Sequence, residues 1–300
     1  MLLKSEKEAR FYSASLCLLI LAQLGLGNDP IRANTAGIAL VQASEAFIGA
    51  PYSSHQSVLL RPLDKAPQFD CQTLVEATLS RVMSRGQQDY YHHLHQLRYF
   101  KKPETEAYRR HFMSSDWLPN LWQKQVLIDE TAKLFPKAKT ISRRIDKVQW
   151  FLKTKEKRDH EAFTKSGLPQ TPQARLAFIP ISELYHETRE TVALFPGSND
   201  PVNLVKARAK LKPLAAKIPT GALLVFVSRN PDRFIEKIGS PLIVGHLGIA
   251  VRKDQKLFLR HADLPRDTVI DIPLETFLRS NSHKYQGIHI STYQANANKL

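Results

Sequence analysis

Three side chains in this sequence have the makings of a nucleophilic site: Cys71, His246 and His261. The cysteine stands in the stretch Gln68-Phe69-Asp70-Cys71-Gln72-Thr73-Leu74-Val75-Glu76-Ala77. Asp70 is a good helix N-cap, and Leu74, Val75 and Leu79 follow it at helical spacing. Cys71 is therefore expected on the first turn of a helix, where unpaired backbone N–H groups and the macrodipole favour an anion. On that ground a thiolate is stabilised, and its pKa should fall below the free value of about 8.5. The competing reading is a small buried hydrophobe at a helix start. A base supplied from elsewhere in the chain decides for the nucleophile.

A thiol nucleophile needs a base within hydrogen-bond reach and a third group to orient that base. His246 opens the strand-like run Leu247–Val251, and His261 closes the next, Lys256–His261, across a turn at Lys253-Asp254-Gln255. Antiparallel strands joined by a short turn bring the start of one beside the end of the next. The two imidazoles are thus expected together at one edge of a sheet, one taking the thiol proton while the other holds its tautomer. His92, His93, His95 and His111 do not add up to a metal site: His92 and His95 share a helix face, but no Cys or carboxylate falls at a ligand spacing.

The elements that must position these groups follow from the pattern of the chain. Residues 31–48 read as an amphipathic helix ended by Gly49 and Pro51, and an irregular stretch with Pro62 and Pro67 leads to Asp70. Residues 88–165 read as mostly helical and basic; between Lys133 and Arg158, ten of 26 residues are Lys or Arg. Such a run is either a solvated helix face or a surface for an anionic polymer. Thr164 to Leu214 reads as irregular. From Gly221 the chain turns to strands, at Ala222–Val227, Leu247–Val251, Lys256–His261, Val269–Ile272 and Gly287–Ser291. Helices first and successive strands after make an α+β fold with an antiparallel sheet.

These motifs resemble the NlpC-type, papain-like cell-wall cysteine peptidases. That superfamily pairs Asp-Cys at a helix start with His-Val-Gly-Ile and then His-Ala-Ser. The counterparts here are Asp70-Cys71, His246-Leu247-Gly248-Ile249 and His261-Ala262-Asp263, with Gly49-Ala50-Pro51-Tyr52 similar to a Gly-x-Pro-Tyr element. Within it the chain looks most like the N-acetylmuramoyl-L-alanine amidase-like branch, formerly a domain of unknown function. Leu97-Arg98-Tyr99 and Arg109-Arg110-His111 through Asp116-Trp117 are similar to elements of that branch's helical insertion. The sequence departs where Gly221 is followed by Ala222 and where Asp263 replaces the serine. The resemblance implies a papain-like fold in which Cys71 attacks an amide carbonyl, His246 is base and acid, and His261 orients His246. It implies Tyr52 as an auxiliary or oxyanion donor, with packing beside Pro51 as its bland role. Arg110 and Asp116 become candidates for substrate carboxylates or backbone, a local ion pair being the alternative.

The expected domain is thus a single cysteine hydrolase over 31–292 with a basic helical insertion at about 88–165. No cofactor is called for. The expected substrate is a peptidoglycan muropeptide, cut between N-acetylmuramic acid and L-alanine; a stem-peptide endopeptidase is the near alternative, and a non-enzymatic basic binder the distant one. The net charge of +15 suits an anionic envelope polymer. Nucleic acid is not expected, because aromatics do not interleave with the basic run as stacking platforms. Residues 1–28, with the apolar run Leu16–Ala22, read as a secretory leader or a buried N-terminal helix; a leader would make the protein periplasmic or secreted, and a buried helix cytoplasmic. Cys17 precedes most of that run and is no lipobox cysteine, so loss of the leader would leave Cys71 as the lone thiol.

Overall fold

The computed structural model describes residues 30–54, 68–193 and 203–295. The proposed leader with Cys17 and the stretch holding Pro62 and Pro67 lie outside the described residues. The helices of eight or more residues are α1 (Pro30–Glu45), α2 (Cys71–Met83), α3 (Gln87–Arg98), α4 (Lys147–Thr154), α5 (Lys157–Thr164) and α6 (Leu274–Asn281). The strands are β1 (Leu127–Asp129), β2 (Lys139–Arg144), β3 (Gln173–Pro180), β4 (Tyr185–Ala193), β5 (Asn203–Leu211), β6 (Leu223–Ser228), β7 (Val244–Lys253), β8 (Lys256–Asp263), β9 (Thr268–Pro273) and β10 (Tyr285–Tyr293). Eight strands form one sheet in the order β2-β3-β10-β6-β7-β8-β9, with β1 also on β10. All its pairings are antiparallel, so the α+β expectation holds.

The sheet separates two cores because successive side chains of a strand alternate faces. Leu223, Val225 and Val227 of β6, with Leu247 and Ile249 of β7, pack with Leu40 of α1 and Val75 and Leu79 of α2. Leu224 and Phe226, with Leu257 and Leu259 of β8, pack instead with Leu274, Phe277 and Leu278 of α6. Two contacts fix α1 on this frame. Gly221, at φ +78°, approaches the Gly37 backbone so closely that a Cβ there would lie 2.1 Å from its carbonyl oxygen. The buried Arg260 makes a bidentate pair with Asp271, at 2.7 and 2.9 Å, and donates to the Ser44 hydroxyl and the Val41 carbonyl.

Two expectations need correction and a third is incomplete. Residues 88–165 are helical over more than half their length, but β1 and β2 also lie within them, and β2 pairs along its length with β3. The stretch 164–214 is not irregular: it contributes β3 to the main sheet and the separate ribbon β4–β5. The period-two signal is present in Ala174, Leu176 and Phe178 of β3 and in Val205, Ala207, Ala209 and Leu211 of β5, each alternating mostly with polar residues, but it is short and set in a polar, proline-spotted composition. The basic run is no continuous solvated helix face either. Lys133, Arg143, Lys155, Lys157 and Arg158 pair with Glu130, Asp232, Glu106, Glu161 and Glu156, and Lys147 is buried against Asp116.

Candidate active site

Asp70 builds the helix start as its sequence suggests. Its carboxylate accepts from the Thr73 N–H at 2.7 Å, and the Thr73 hydroxyl accepts from the Asp70 N–H at 2.8 Å, a reciprocal capping box. Helix α2 is buried nearly all round, so the orientation of its first residue is set by packing on every side. The Cys71 thiol remains partly accessible and receives the Leu247 backbone N–H, one residue from His246.

The imidazoles meet as expected, with His246 Nε2 3.0 Å from His261 Nδ1 and the ring planes at 87°. They lie at the ends of β7 and β8, two inner strands, because β9 covers β8 on the outside; the expected sheet edge is corrected accordingly. The register of β6 with β7 shifts at Gly245, the residue before His246. A bulge of this kind re-aims the side chain beside it. His246 then falls opposite Phe226 on the face covered by α6. Tyr285 closes the gap between that face and the thiol: its ring contacts Phe226 and Phe277, and its phenol feels the Cys71 charge. Tyr52 also lies within reach of that charge, held by a bridge to Phe69 beside Asp70.

The electrostatics depart from a resting ion pair. Burial first, and then the Asp70 carboxylate, push the Cys71 thiol up to about 12, against the lowering effect of the Leu247, Gln72 and Cys71 backbone N–H groups. Burial likewise pushes His246 down to about 3, helped by His261 and Lys284. His261 is lowered to about 4 by burial, although Asp263 acts to raise it. The expected depressed thiol pKa is therefore corrected: desolvation outweighs the helix N-terminus, and the resting pair is a neutral thiol beside a neutral imidazole.

Of the insertion residues, Arg98 pairs with the buried Glu76 of α2 at 3.4 Å. Arg110 presents its carbonyl to Gln72, stacks its guanidinium 4.4 Å over Phe100, and donates to Asn120 at 3.0 Å. Among the described residues its Nε and Nη1, and Nε and Nη2 of the buried Arg109, meet no hydrogen-bond partner. Burial lowers Arg110 to about 10. Asp116 is engaged by Lys147, with both side chains buried. Among the described residues no group of three His, Cys, Asp or Glu side chains is placed to hold a metal ion; the His111 Nε2 instead meets the Glu106 carbonyl at 2.8 Å.

Comparison with known proteins bears on this geometry directly. A model of the AmiA-like family, described as N-acetylmuramoyl-L-alanine amidase-like, matches residues 42–288. The chain belongs to this amidase-like family. That span takes in Tyr52, Cys71, both imidazoles, the insertion and Tyr285. Among solved structures, the chain is similar to a protein of Legionella pneumophila, at 22% identity and TM-score 0.66, covering 96% of this chain and 95% of that one. It is also similar to an N-acetylmuramoyl-L-alanine amidase of Bacteroides uniformis, at 20% identity and TM-score 0.62, covering 87% and 99%. At such identities these two likenesses establish the fold alone. Among curated proteins none matches.

Sequence reasoning singled out Cys71, His246, His261 and Tyr52 from their motifs, and the structure brings the two imidazoles together. It did not single out Tyr285 and Phe277, which carry no motif but pack beside the imidazoles or the thiol. Their sole sequence signal is an aromatic near the start of the last strand and another on the amphipathic helix before it.

Proposed function

We propose that this amidase-like family member is a cysteine amidase of peptidoglycan, with an NlpC-type, papain-like arrangement, that cuts the bond between N-acetylmuramic acid and L-alanine. The reading is supported by the hydrogen-bonded His246–His261 pair and by the capped helix start at Cys71, whose thiol receives the N–H of Leu247, the residue after His246, in a chain of this family. In the productive tautomer His246 Nε2–H donates to His261 Nδ1, which leaves the His246 Nδ1 lone pair for the thiol proton. The thiol sulfur attacks the lactyl carbonyl carbon as the proton passes to Nδ1. The tetrahedral oxyanion is met by the Cys71 backbone N–H at the helix start, with Tyr52 as a second donor. His246 then returns the proton to the L-alanine nitrogen, the C–N bond breaks, and the stem peptide leaves with a free amine. Water, activated by the same imidazole, hydrolyses the muramoyl thioester and restores the thiol. Neutral resting partners make proton transfer part of the attack instead of a step before it.

Arg110 remains the residue assigned to a stem-peptide carboxylate, since it has unpartnered N–H groups beside α2. Asp116 serves the site through Lys147. On this reading the protein works outside the cytoplasm, where its substrate lies. Mass spectrometry of muropeptide digests tests the bond. Free stem peptides beginning with L-alanine and intact sugars are expected; stem peptides cut internally and still attached to the sugar would identify an endopeptidase and refute the amidase.

A further inference from the structure

The hydrogen bond between His246 and His261 fixes one distance, yet each ring can still turn about its own side-chain bonds while keeping it. A third ring removes that freedom. Phe277 stacks on His246 with centroids 5.4 Å apart and planes at 20°, and meets His261 edge-on at 5.3 Å and 76°. It lies nearly parallel to one imidazole and nearly perpendicular to the other, an arrangement consistent with the 87° between them. Phe277 is itself held by Phe226 at 4.7 Å and by Tyr285, parallel within 9°, at 6.2 Å. Leu274, Phe277 and Leu278 form the buried stripe of α6, at helical spacing, and the ribbon β4–β5 packs against this helix.

We propose that Phe277 is a positioning residue, which locks the planes of both imidazoles and excludes water from them, so that His246 presents Nδ1 to the Cys71 thiol. The proposal deepens the amidase reading and rests on His246 as its base. The charged and titratable groups around the imidazole pair are Lys284 near His246 and Asp263, Arg266 and Asp271 around His261, with Tyr285 of β10 stacked on Phe277 and itself near the Cys71 thiol of α2. Phe277 brings no charge to this set. Its removal therefore acts on orientation and hydration alone.

Phe277→Leu keeps apolar bulk and removes the ring; Phe277→Ala also admits water; Phe277→Tyr keeps the ring. Turnover of a soluble muropeptide by Phe277→Leu is expected to drop about tenfold in kcat with KM within about twofold, as misorientation costs rate more than binding. Phe277→Ala is expected to lose more, and its acid limb should move up by about one unit or more toward the ordinary imidazole value near 6.5. Phe277→Tyr should retain kcat within about threefold. Nitrogen NMR of the imidazoles reads the same upward shift of His246 without using activity, in protein whose fold is checked by circular dichroism. An unmoved His246 titration in folded Phe277→Ala, or wild-type kcat in Phe277→Leu, overturns the proposal. A His246→Ala variant with full turnover overturns the amidase assignment instead, while the NMR shift still tests Phe277.

Discussion

Lys147 lies inside the most basic run of the sequence, yet the structure makes it a core residue. Its Nζ pairs with Asp116 Oδ1, and the two residues are 2% and 5% exposed. Asp116 also accepts from the Ser115 hydroxyl at 3.1 Å and more weakly from the Phe112 N–H at 3.4 Å. Replacing Lys147 with Met leaves that carboxylate buried without its cation, at a cost of about 3–5 kcal/mol. For 300 residues the entropy of unfolding is about 0.6 kcal/mol/K, so Tm should fall by about 5–8 °C. Lys139→Met and Arg144→Met, at exposed positions of the same run, should move Tm by no more than about 1 °C. The double variant Lys147→Met/Asp116→Asn should recover a large part of the loss, because the buried carboxylate is removed with its cation and only its weaker interaction with Arg110 is forgone. Differential scanning calorimetry of the four variants and the wild type makes the comparison. A Tm loss below about 2 °C for Lys147→Met, or a double variant no better than the single, would refute the buried-pair reasoning.

Acid should destabilise the fold through its buried imidazoles. Burial holds His111 and His246 below the unfolded value of about 6.5, so between the folded and unfolded pKa values the unfolded chain binds more protons. Their contribution is whole above about pH 6.5 and is lost as pH falls toward the folded values, by about 2 kcal/mol at pH 5 for His246, whose folded value is about 3, with His111 adding in the same direction. Urea midpoints unchanged between pH 7 and pH 5 would contradict it. Charge reversal at Lys137, Lys139 and Arg144, three exposed cations of the run that make no ion pair among the described residues, should weaken salt-sensitive pelleting with sacculi and spare soluble-muropeptide turnover. Undiminished pelleting would mark the run as a solvated surface. Tyr52→Phe should lower kcat by about 10²-fold if its hydroxyl meets the oxyanion; wild-type kcat would reduce Tyr52 to ring packing.

The site was legible where its chemistry is local. Asp70 and Thr73 announce a helix start because capping depends on residues three apart, and His246 and His261 announce a pair because a short turn joins their strands. Its electrostatics were not legible. The macrodipole at Cys71 can be read from neighbours in sequence, but the desolvation that overrides it comes from the core packed round the thiol, much of it far along the chain. The same holds for the basic run, where Lys147 and Arg143 find their acids at Asp116 and Asp232 only through the fold. The β2–β3 pairing escaped notice because β2, Lys139-Thr140-Ile141-Ser142-Arg143-Arg144, buries one side chain and looks like a charged loop. Phe277 was invisible for a related reason: on α6 it reads as ordinary core, and its contact with the imidazoles exists only once β7, β8 and α6 are stacked.

The central claim is that the Cys71 sulfur becomes the acyl carrier. Rapid-quench intact-mass measurement on enzyme mixed with a defined muropeptide tests it most directly. A transient adduct with the mass of the muramoyl group, mapped by proteolysis to the peptide containing Cys71 and absent from Cys71→Ala, is the result the account predicts. Stem peptide released at the wild-type rate by Cys71→Ala, with no adduct on the wild-type thiol at any quench time, would contradict it.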